Sequence, residues 1–158
     1  MSIETKLQKM GLVLPEPIKV PAGVKLPFRF VRVHGNRAFI SGHGPQNPDG
    51  SIAGPFGKVG SDISIEQGYE AAKRTALSIL GSLKRELGSL DDITWLRVFG
   101  MVNASPDFTS QPQVINGFSD LILELYGPEH GAHARSAVGM AGLPFAMPVE
   151  IEAEIQIG

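Results

Sequence analysis

Apolar residues recur at two different periods along the chain, and the changes of period mark its elements. Ile65, Tyr69, Ala72, Ala76, Ile79, Leu83 and Leu87 stand three or four apart, which places them on one stripe of a helix. Ser64 with Gln67 three residues later is a capping-box signature at its start, and Gly88 supplies a stop. The same spacing returns through Ile115, Phe118, Ile122 and Leu125, predicting a helix over Val114–Tyr126 that meets Gly127-Pro128. A short first helix is expected over Ser2–Met10, with Ile3, Leu7 and Met10 on one side and Gly11 ending it. Tyr69 and Phe118 lie on these stripes and read as core residues.

Period two takes over elsewhere. From Pro148 to Ile157, Val149, Ile151, Ala153, Ile155 and Ile157 take one face, and Glu150, Glu152, Glu154 and Gln156 take the other. Thr94–Val102 is largely apolar and rich in strand formers and reads as a central strand, and Arg135–Ala141 as another. Phe28–Val33 and Ala38–Ser41 form an expected hairpin around His34-Gly35-Asn36, with Phe28, Phe30 and Val33 pointing inward. Pro15, Pro17, Pro21 and Pro27 keep the preceding chain extended, and the Gly- and Pro-rich stretch Gly42–Gly60 reads as loop.

Hairpin, helix, strand, helix, strand, strand is the order of an α+β fold: a mixed sheet covered on one face by two helices. Residues 1–158 are expected to form one domain, with residues 1–27 as an extension packed on it. The central strands are apolar on both sides, so the second sheet face needs a cover, and a partner subunit is the economical one. Arg97, which interrupts an apolar strand, is expected on that face, paired with an acid such as Glu152.

Composition narrows the function classes. Fourteen basic and sixteen acidic side chains in 158 residues leave a net charge of −2, which argues against a nucleic-acid partner. The absence of cysteine removes disulfides, thiol nucleophiles and thiolate metal sites. The opening MSIETKLQKM has no apolar signal core, and no apolar run is long enough to span a bilayer, so a cytoplasmic protein without membrane partners is expected.

Few residues carry candidate chemistry. Arg135 opens an apolar strand beside a loop bearing glycine and histidine. Its rigid fork of donors suits bidentate capture of a small carboxylate or phosphate, although a structural ion pair is the blander reading. Glu150 begins the polar face of the last strand. It would approach Arg135 if the last two strands formed an antiparallel pair, and it could then orient a water; otherwise it is a solvated edge glutamate like Glu152 and Glu154. His43, in SGHGP after a strand, either lines a pocket or serves the structure. His130 and His133 lie in a loop with no shared helical face, and a zinc site would need three or four convergent ligands, so no metal is expected. No GxGxxG or Walker pattern supports a nucleotide cofactor, and no cofactor is expected. No serine stands in a triad motif.

The stretches ISGHGPQNPDGSI, LKRELGSLDDITWLRVFGMV and above all ARSAVGMAGLPFAMPVEIEAEI resemble the RidA/YjgF family, often labelled endoribonuclease L-PSP. The resemblance runs from about Phe28 to Ile157, and the longer N-terminus and Gly42–Gly60 loop suit a longer-chain branch. It implies a chorismate-mutase-like fold and a homotrimer with ligand clefts between subunits. It also implies hydrolysis of reactive enamines and imines, such as 2-aminoacrylate, to 2-oxo acids and ammonia. In that comparison Arg135 matches the arginine that grips the substrate carboxylate and Glu150 the glutamate that orients water. Gly42 lines the cleft, and Phe28 replaces an aromatic wall residue that is usually tyrosine, keeping the ring and losing the hydroxyl. His43-Gly44 replaces the commoner Gln-Ile, Ala137 a common cysteine, and Asn116 matches an asparagine of the second long helix. A non-catalytic trimer that binds a small metabolite is the alternative, and a ribonuclease a lesser one.

Overall fold

The computed structural model describes residues 1–158, and its long helices begin and end where local chemistry dictates. Helix α1 (Ile3–Lys9) is capped by Ser2, and helix α2 (Ile65–Leu87) by a complete Ser64/Gln67 capping box. Gly88 closes α2 in the left-handed conformation. Helix α3 (Gln111–Gly131) is broken at Gly127, whose φ of 73° and ψ of 178° separate the main helix from a last short turn that restarts at Pro128.

Five strands form one sheet: β1 (Val31–His34), β2 (Arg37–His43), β3 (Ile93–Asn103), β4 (Ala134–Met140) and β5 (Val149–Ile157), in the order β1-β2-β5-β3-β4. All neighbours run antiparallel except β3 and β4, which are parallel, as a helical crossover through α3 requires. Helices α2 and α3 cover one face, and the core is continuous from Ile79, Leu80 and Leu83 of α2 and Phe118 and Ile122 of α3 to Val98, Val102, Ile151 and Ile155 of the sheet.

Four expectations are corrected. The last two strands are not partners, because β3 lies between them. In β1 the inward residue is Val31, opposite Ile40; Phe28 lies ahead of the strand and is 52% exposed, and Val33 is also exposed. Pairing with β2 sets that parity, and the alternation Phe28, Phe30 could not reveal it. Arg97 does lie on the uncovered face, yet it stands opposite Glu154 rather than Glu152 and makes no ion pair; Glu154 meets Arg37 at 3.9 Å instead. Tyr69 is also less interior than its stripe implies: it is half-buried, and its hydroxyl donates to Asp120 of α3 at 2.7 Å.

The first 27 residues contact the rest of the chain through named bonds. Lys84 pairs with Glu4 at 2.7 Å, Lys6 donates to the Leu125 carbonyl, and Arg85 donates to the Pro15 carbonyl. Val20, Val24 and Leu26 remain exposed. No helix is long and apolar enough to cross a membrane.

Candidate active site

Arg135 lies on edge strand β4, directly opposite Val98 of β3. Paired residues share a sheet face, so Arg135 points to the helix side, as buried Val98 does. There its Nη1 donates to Asn116 Oδ1 at 2.8 Å and to Ser119 Oγ at 3.1 Å. Both acceptors belong to α3 and are one helical turn apart, which is why one guanidinium nitrogen reaches both. Neither is charged, and no carboxylate forms an ion pair with Arg135. The Nε and Nη2 donors have no partner in the chain, and the side chain is only half-buried. The guanidinium is thus oriented from one edge by neutral oxygens while its other edge keeps the parallel donors that fit a carboxylate.

Asn116, which the family resemblance singles out, is brought against Arg135. Ser119 and His133 were not anticipated. Ser119 is 8% exposed, and its hydroxyl lies 2.9 Å from His133 Nε2. The signal was present in the spacing: Ser119 follows Asn116 by three on a helix, and His133 precedes Arg135 by two where the chain becomes extended, so each pair shares a side.

Glu150 takes the opposite face. It stands across from Met101 of β3, three positions beyond Val98, on the side the helices leave open. Within one chain, Arg135 and Glu150 are therefore separated by two strand spacings and three residues, roughly 10 Å in each direction, with the sheet between them. The glutamate is half-buried and has neither a hydrogen-bond donor nor a cation against it. Burial raises its pKa above the ordinary carboxylate range, and the charge of Glu152 adds to the shift. Its carboxylate rests on the backbone of Gly42, where an added Cβ would collide with Oε2. A side chain at position 42 would push the Glu150 carboxyl group aside.

His43 turns inward. It is 6% exposed, its Nδ1 donates to the Ser41 carbonyl at 2.6 Å, and its Nε2 lies 2.8 Å from the Ser82 hydroxyl of α2. Burial lowers its pKa to about 4, so the ring is neutral near pH 7 and ties β2 to α2. Its side chain is on the helix side, away from Glu150, so of its two sequence readings the structure carries the internal one. Phe28 stacks edge-on with Phe30, which contacts the His43 ring in the same way, leaving Phe28 as an exposed aromatic at the end of that row. His130 and His133 face different partners, Thr94 and Ser119, and no three His, Asp or Glu side chains converge in a metal-binding group.

Comparisons with known proteins agree with this arrangement of elements. A family model described as "YjgF/chorismate mutase-like, putative endoribonuclease" matches residues 4–150. The Trypanosoma cruzi protein TCP17 is 37% identical over 160 residues, covering 98% of this chain and 94% of its own. A crystal structure of an Agrobacterium tumefaciens protein of unknown function is 37% identical with a TM-score of 0.86, covering 99% of this chain and 92% of its own. A Shewanella oneidensis structure described as "a putative endoribonuclease" is 25% identical, with a TM-score of 0.88 over 99% of this chain and 100% of its own. The mixed sheet covered by helices is the fold these proteins share.

Proposed function

The chain belongs to the YjgF/RidA family, and from that premise we propose that it hydrolyses small reactive enamines and imines, of the 2-aminoacrylate type, to 2-oxo acids and ammonia. The carrying observation is the Arg135 guanidinium, aimed by Asn116 and Ser119 yet bound to no acid. No acid of the chain pairs with it, so its Nε and Nη2 edge is open to a carboxylate brought from outside.

The reaction needs a second group, and Glu150 suits it. The enamine tautomerises to the imine. Water then adds to the carbon of the protonated imine while a carboxylate takes one of its protons; the carboxyl group so formed returns that proton to the carbinolamine nitrogen, and ammonia leaves as the remaining hydroxyl gives up its proton to become the 2-oxo group. A carboxylate with a raised pKa and no cation beside it is a competent base for that step. Because the sheet separates Arg135 from Glu150 in one chain, we place the reaction in a cleft between copies, with Arg135 from one and Glu150 and Gly42 from the next. The uncovered sheet face, which exposes Phe39 and carries Phe99 and Met101, supports assembly into the homotrimer that the family resemblance implies. Phe28 would supply an aromatic wall without a hydroxyl.

Freshly generated 2-aminoacrylate offered to wild type and Arg135→Ala tests the reading. The variant is expected to lose more than tenfold in kcat/KM, since losing a charge-assisted carboxylate contact costs about 2–5 kcal/mol. Equal rates from assembled proteins would refute it. Binding of 2-oxo acids without turnover of the imine would favour the alternative of a metabolite-binding trimer, for which the missing Phe28 hydroxyl speaks. RNA cleavage unaffected by Arg135→Ala would favour the endoribonuclease that some relatives are named for, against a net charge of −2.

A further inference from the structure

We propose that His133 and Ser119 act together as positioning residues for Arg135, with the imidazole fixing the direction of the Ser119 hydroxyl and the hydroxyl aiming the guanidinium. The proposal rests on the reading of Arg135 as the carboxylate-binding residue and extends it to two groups that act through the guanidinium.

The hydrogen positions follow from the partners. His133 Nδ1 lies 2.8 Å from the carbonyl oxygen of Gly131, which can only accept, so Nδ1 carries the proton. Burial lowers the His133 pKa, with the Arg135 charge as a lesser cause, so the ring is neutral and Nε2 is an acceptor. The only hydrogen on Ser119 Oγ then goes to Nε2 at 2.9 Å, which leaves its lone pairs for Arg135 Nη1 at 3.1 Å. Every link has one direction. The chain of bonds begins at a backbone carbonyl in the short turn after Gly127 and ends on the guanidinium. Phe118 packs edge-on against the imidazole and holds its plane. Asn116 secures Nη1 independently, so removing the Ser119 link should loosen the aim of Arg135 without removing its charge.

The test uses the full-length protein, with pyruvate binding by calorimetry and imine turnover measured in parallel for Ser119→Ala, His133→Phe, the double variant and Arg135→Ala. Ser119→Ala and His133→Phe are each expected to weaken pyruvate binding and raise KM by about fivefold, with kcat nearly unchanged. The double variant should be no worse than Ser119→Ala, because both changes cut the same chain of bonds. Unchanged KM in both single variants, or fully additive losses, would overturn the proposal. If Arg135→Ala also binds pyruvate normally, the reading of the site itself fails; if only Arg135→Ala loses binding, the reading stands and the positioning role alone falls. Long-range proton–nitrogen NMR of the wild type decides the matter without any variant. It should find His133 protonated at Nδ1 only and perturbed by pyruvate, and the Nε2-protonated tautomer would contradict the chain of bonds.

Discussion

A carboxyl group that loses water without gaining a cation titrates late, and Glu150 is in that position. Its pKa is raised by burial and by Glu152. For an acid whose ionised form does the work, activity is present above that raised pKa and is lost as pH falls through it. The acid limb of kcat should therefore lie above the ordinary glutamate range. Glu150→Gln should lower kcat by about 10²–10⁴ and remove that limb, as read from pH–rate profiles of both proteins. A profile whose acid limb survives in the glutamine variant would exclude Glu150 as the base. At this scale the sequence was informative about identity and silent about direction. Arg135 and Glu150 stand out as charges at the starts of apolar strands, but whether they meet depends on strand order. His43 looks like a pocket residue beside its glycines until its ring is seen donating to Ser41 and reaching Ser82.

The elements are held by two kinds of contact that can be tested separately. His43 joins β2 to α2 as a neutral ring with a pKa near 4, against about 6.5 in an unfolded chain. Between those values the unfolded state binds the extra proton, so stability falls as pH drops from 6.5 toward 4, by up to about 3 kcal/mol. His43→Gln should flatten the dependence of melting temperature on pH in that window. Gly117 joins α3 to α2: a Cβ there would overlap the Tyr69 carbonyl oxygen, on backbone that cannot step aside. Gly117→Ala should force the helices apart and cost about 1–3 kcal/mol or more, measured by denaturant unfolding. Helix α2 was fully legible because its stripe, capping box and glycine stop are local signals. The strand partners were not. The parallel pairing of β3 with β4, and β5 seated between β2 and β3, arise from long-range topology that no window of sequence encodes. The inward residue of β1 was missed for the same reason, because Ile40 across the hairpin decides it.

For the whole molecule, sheet polarity is the deciding feature. One face is buried by two helices, and the other carries Phe39, Phe99, Met101 and three alternating glutamates. That this face carries apolar side chains was readable from strands apolar on both sides. What sequence could not supply is that the sheet also separates the two groups proposed to react, Arg135 on the helix side and Glu150 on the open side. The proposed cleft, with its arginine from one chain and its glutamate from the next, makes a distinct demand on mixtures. Arg135→Ala and Glu150→Gln chains should each be inactive alone and should complement when co-assembled, since some clefts then take a wild-type arginine from one chain and a wild-type glutamate from the other. Equal amounts of the two chains, assembled at random into trimers, should recover about one quarter of wild-type imine hydrolysis. Mixed assemblies as inactive as their parents would contradict a shared cleft and, with it, the division of the reaction between Arg135 of one chain and Glu150 of the next.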